Sequence, residues 1–162
     1  MEDPRRPDVP VGYEGLTRVC SQPPEDMEHR RNWEAHNLVR VPFLAPIPLA
    51  WDPKTKATQV WVHKYIQDVV TDTFMVLYTN GLWSLLEDFG GAYMYRTKRG
   101  YASKLSVHSF GMALDFCCVS NPLGKKPEMP DALVTAFTDL GWVWGGAWRR
   151  PDGQHFQYAR QV

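Results

Sequence analysis

The sequence predicts an α+β fold: one domain in which helices pack on a small antiparallel sheet. Three observations carry that expectation. Residues 61–78 space their apolar side chains as a helix does, short apolar or alternating runs between 92 and 159 read as strands, and 162 residues suit a single core. The helical pattern comes first and the strands follow, broken by one further helix, which is not the alternation of a βαβ chain.

Taken in order, residues 1–30 carry Pro4, Pro7, Pro10, Pro23 and Pro24 and read as an extended, proline-rich arm. The domain proper then occupies 31–162. Residues 37–49 alternate but contain Pro42, Pro46 and Pro48, so a short edge strand followed by irregular chain is expected. Residues 52–56 read as a turn. Val62, Tyr65, Ile66, Val69, Val70, Phe74 and Leu77 make 61–78 an amphipathic helix, stopped by Asn80-Gly81. A shorter helix over 82–88 follows. Gly90-Gly91 then breaks the chain before a strand at 92–96. A buried strand at 113–119, a loop at 121–130 and a helix at 130–140 opened by Pro130 come next. Residues 141–146 and 155–159 supply the last strands.

Lys+Arg equals Asp+Glu, so the formal net charge is zero, which argues against a nucleic-acid partner. No stretch approaches the length of a membrane span, and 1–10 has no apolar segment of a secretory signal, so synthesis in the cytoplasm without membrane insertion is expected. Cys20, Cys117 and Cys118 are odd in number and two are adjacent, which does not suit a disulfide framework. Seven tryptophans are many for this length; most are expected in the core, the rest along a groove.

Two short segments could carry chemistry. The first is Ser106-Val107-His108-Ser109-Phe110-Gly111-Met112-Ala113-Leu114-Asp115; the second is Asp152-Gly153-Gln154-His155-Phe156. Gly111 and the β-leaning run after it place His108 in a loop or turn and Asp115 on a strand. A carboxylate in an apolar strand must meet a cation, a metal or several donors, and an ion pair would serve as well as a metal. His155 alone reads as a core histidine, and Asp152 alone as the cap of the Pro151-Asp152-Gly153 turn. No His-Glu-x-x-His helix is present. A catalytic zinc needs three protein ligands, an open position and a carboxylate base. The two segments together offer a candidate for each.

Ser-x-His-x6-Asp, then Gly-Trp-x-Trp-Gly-Gly-x-Trp, then Asp-x-x-His-Phe, resembles the M15 family of zinc peptidases. The likeness runs from Trp33 to Gln157 and includes Gly90-Gly91-x-Tyr93-x-x-Arg96. It is nearest to the group of phage endolysins that cut L-alanyl-D-glutamate bonds, beside D-alanyl-D-alanine carboxypeptidases. The resemblance implies a Hedgehog/DD-peptidase-like fold and a Zn2+ cofactor held by His108, Asp115 and His155. It implies that Asp152 is the catalytic carboxylate, where many relatives have glutamate, and that Arg96 steadies a substrate carbonyl or carboxylate. A structural salt bridge is the other reading of Arg96. Ser106 would bind substrate or support a ligand, and Trp144 and Trp148 would wall the groove, with core packing the rival for Trp144. The expected partner is the peptidoglycan stem peptide, met by a monomer at the cell wall after holin-type release. Removal of terminal D-alanine is the close alternative; a cell-wall binding module without turnover is the alternative of another class.

Overall fold

A computed structural model describes residues 6–101 and 103–162 and shows an α+β architecture built on one six-stranded sheet, in the order β2-β1-β3-β4-β6-β5. The strands are β1 (Leu38–Leu49), β2 (Asp52–His63), β3 (Phe89–Gly91), β4 (Ala113–Phe116), β5 (Val143–Trp144) and β6 (His155–Gln157). All neighbouring pairs are antiparallel except β1 and β3, which meet in parallel at Leu49 and Phe89. The helices are α1 (Gly12–Cys20), α2 (Met27–Asn37), α3 (Gln67–Thr79) and α4 (Asp131–Thr138). α3 packs on β1 and α4, and α4 on β5. Between them lies an aromatic core in which Phe74, Phe116, Phe137 and Phe156 are essentially inaccessible. Phe137 and Phe156 stack with ring centroids 4.0 Å apart, tying α4 to β6.

Several elements differ from the sequence expectation. The segment read as an extended arm contains α1, whose Leu16 and Cys20 are buried in the core. Its prolines punctuate only the two ends, leaving 11–22 free to coil. The arm's first five residues lie outside the described ones. The chain leading into α1 is laced to the segment after β6: Tyr158 Oη donates to Pro7 O (2.7 Å), Arg160 N to Pro10 O (2.9 Å) and Gly12 N to Arg160 O (2.8 Å).

β1 is one long strand rather than a short one, because a bulge absorbs its prolines: between Pro42 and Ile47 it advances five residues while β2 advances from Gln59 to Ala57. The expected turn at 52–56 and the first part of the expected helix are in fact β2. Val60 and Val62 face inward with Trp61 exposed between them, a period of two. Val62 also fits the helical spacing of the residues after it, which disguised the boundary. The helix starts at Gln67, and Asn80 and Gly81 (φ 70°) do end it. Only a 3-10 turn, Trp83–Leu85, forms within 82–88.

The strand expected at 92–96 forms instead at Phe89–Gly91. Residues 92–96 are held by hydrogen bonds to the 3-10 turn Val107–Phe110: Met94 N donates to His108 O (3.1 Å), Arg96 N to Ser109 Oγ (2.9 Å), and Ser109 Oγ to Arg96 O (2.7 Å). β4 stops at Phe116 rather than 119 because Cys117 turns the backbone to φ 52°. Of the tryptophans, Trp33, Trp83 and Trp142 are buried, while Trp51, Trp61 and Trp148 are exposed.

Candidate metal centre and substrate groove

His108, Asp115 and His155 come from three different elements. Ser106 caps the turn Val107–Phe110, its Oγ accepting His108 N at 3.4 Å, and this presents His108. Gly111 ends the turn in the left-handed region at φ 67°. It packs so closely on β2 that a Cβ there would sit 2.7 Å from the backbone nitrogen of His63. Asp115 on β4 and His155 on β6 are cross-strand partners, so their side chains share a face. Residues 40 apart in sequence thus become neighbours: His155 Nδ1 lies 2.9 Å from Asp115 Oδ1, His108 Nε2 3.2 Å from the same oxygen, and the two nitrogens 3.1 Å from each other.

The outer nitrogens fix the state of the inner ones. His108 Nδ1 is 2.6 Å from Ala92 O, a pure acceptor, so Nδ1 carries a hydrogen. Gln157 Nε2 donates to Ala159 O (2.8 Å), which turns Gln157 Oε1 towards His155 Nε2 at 3.1 Å and places a hydrogen there too. In the neutral rings, His108 Nε2 and His155 Nδ1 therefore both present lone pairs, and they converge with a carboxylate oxygen. Three acceptors at this distance repel unless a cation or a proton lies among them. The titration tendencies express the same demand. Burial pushes the Asp115 carboxyl up, yet the charges and hydrogen bonds of His108 and His155 outweigh it and hold the group well below the usual carboxylate range. Burial pushes the His155 imidazole down, but Asp115 reverses this and the net direction is upward. Nitrogen, nitrogen and carboxylate donors within 4.8 Å of one another, two with outer hydrogen bonds that orient them, suit a divalent transition metal such as zinc.

A groove of about 460 Å³ opens beside these residues. Asp152 lines it from the turn before β6: its backbone nitrogen donates to Gly145 O (2.9 Å), and its carbonyl accepts His155 N (3.1 Å). The turn anticipated from Gly153 is therefore present, and it brings Asp152 to the same groove as His155. Arg96 and Ser106 also line it, as does Trp148, whose ring centroid is 5.4 Å from that of His155. Burial lowers the Arg96 pKa and Arg99 lowers it further, while Asp115 and Asp152 pull the other way, so this guanidinium senses both carboxylates. Trp144 is not among the groove residues. Its ring covers Gly146 and its Nε1 donates to Gly153 O (2.8 Å), bracing the turn that carries Asp152. His63 lies away from the groove at the end of β2, buried. Gln157 was not anticipated as a site residue, although a His-x-Gln pair on one strand necessarily shares a face.

Residues 99–158 match a family model described as D-alanyl-D-alanine carboxypeptidase, one of the M15 peptidases. This segment is similar to M15 peptidase sequence. It includes His108, Asp115, Asp152 and His155, while Arg96 precedes it. No curated protein and no solved structure matches the chain. The match over residues 99–158 supports a peptidase of the kind that acts on peptidoglycan peptides. Among the described residues, no helix is long and apolar enough to cross a membrane.

Proposed function

We propose that the protein is a zinc-dependent peptidoglycan hydrolase that cuts the L-alanyl–D-glutamate bond of the stem peptide. The observation that carries the reading is the meeting of His108, Asp115 and His155 beside a groove that also holds an aspartate and an arginine. His108 Nε2, His155 Nδ1 and Asp115 would hold the zinc, which supplies Lewis acidity and a water of lowered pKa. Asp152 takes the proton of the attacking water and delivers it to the leaving amine. Arg96 lies on the same groove and stabilises negative charge developing on the scissile carbonyl oxygen. Trp148 and Ser106 position the peptide, and Trp144 acts through the Asp152 turn.

Removal of terminal D-alanine is the second reading, favoured by the description of the matched family model. Digestion of purified sacculi separates the two. The endopeptidase exposes new D-glutamate amines, whereas free D-alanine with no such amine would assign the carboxypeptidase. Zinc binding with neither product would leave the wall-binding module.

A further inference from the structure

We propose that Arg99 and Arg150 form a carboxylate-receiving rim on the groove, and that the preferred substrate is a stem peptide with a free carboxylate on the residue that follows the scissile bond, not its carboxamide counterpart. The inference rests on the peptidase reading above and names the substrate class of the same groove.

The groove gathers four cationic side chains, Arg96, Lys98, Arg99 and Arg150, against two carboxylates, Asp115 and Asp152. Asp115 is already engaged by both histidines. Among the described residues, Arg96, Arg99 and Arg150 have no carboxylate oxygen within 4.0 Å. The chain as a whole has zero formal net charge, so this excess is a local concentration and not the surplus of a basic protein. Gathering like charges without partners is unfavourable, and an anionic ligand relieves it. Arg96 is the cation placed near the reacting centre, which leaves Arg99 and Arg150 for a second group. Lys98 is already engaged, its Nζ donating to Val162 O at 2.6 Å on the same groove. Arg99 and Arg150 are exposed and offer planar forks suited to a carboxylate. Stem peptides differ in this respect, since the α-carboxyl of their γ-linked D-glutamate is either free or amidated.

The test is calorimetric binding of two synthetic stem peptides, identical except for that carboxylate or carboxamide, to the zinc-loaded Asp152→Asn protein. The free acid should bind about tenfold more tightly, the scale of one charge-assisted contact. Arg99→Gln and Arg150→Gln, each verified as folded by circular dichroism, should each shrink the ratio towards one. Equal affinities for the two peptides, or a ratio that neither substitution moves, would overturn the rim. Sacculus cleavage by the wild-type protein is scored separately. Its failure would sink the peptidase reading, while the binding ratio still decides the rim.

Discussion

His155 Nε2 lies 3.1 Å from Gln157 Oε1, and the amide of Gln157 is fixed in turn by Ala159 O. Because residues two apart on β6 share a face, this pair sets which nitrogen of His155 faces Asp115. Replacing Gln157 by Leu removes the acceptor and frees the ring to change tautomer. Zinc affinity measured by chelator competition should fall about 10–100-fold. Gln157→Glu keeps an acceptor and should lose less. Unchanged affinity in Gln157→Leu would show that the outer hydrogen bond does not orient the ligand.

Asp152→Ala should lower kcat on peptidoglycan by roughly 10²–10⁴-fold, the contribution of a positioned acid–base group. Zinc content should remain that of the wild type, since Asp152 stands outside the convergent set. Wild-type turnover would remove Asp152 from the mechanism.

Trp148 and Trp144 should separate by measurement. Trp148 is exposed with its ring near His155, so Trp148→Ala should raise KM with little change in melting temperature. Trp144 braces the Asp152 turn, so Trp144→Ala should lower the melting temperature and kcat together. The reverse pattern would mean that their positions have been misassigned.

Much of this arrangement was legible in the sequence, and the reasons are specific. His108, Asp115 and His155 were visible because two motifs stand in the order of the M15 family, although singly Asp115 suited an ion pair and His155 a core histidine; the helix at 130–140 was visible because Pro130 marks its start. The long β1–β2 hairpin was not, since three prolines argue against a strand and nothing local announces the bulge that accommodates them. α1 hid among prolines that only flank it. The roles of Ala92 O and Gln157 depend on which backbone passes which ring, and that is decided by register, not by composition.

Gly111→Ala should destabilise the protein by more than about 1 kcal/mol, because an L side chain is disfavoured at its positive φ and no space exists beside β2. The turn that presents His108 should loosen with it. Urea unfolding together with zinc titration checks both effects; a variant as stable as the wild type would contradict the close packing.

His63 gives a pH dependence. Burial, with a smaller push from Lys64, holds its imidazole down at about 4, against an ordinary value of 6.5. Between those pH values the unfolded chain binds a proton that the folded chain does not. This contribution to stability is therefore full above pH 6.5 and declines as pH falls towards 4, by roughly 3 kcal/mol in all. The urea midpoint should drop across this window, and less steeply in His63→Gln. Identical slopes would exclude His63 as a source.

The central claim is that His108, Asp115 and His155 hold zinc for peptide hydrolysis. X-ray absorption at the zinc edge of the loaded protein tests it most directly. The expected shell is two imidazole nitrogens and light oxygen donors at about 2.0–2.2 Å with no sulfur. His108→Ala and His155→Ala should each remove one imidazole from that shell. Zinc bound through a cysteine sulfur at about 2.3 Å, or an imidazole shell that survives both substitutions, would contradict the account.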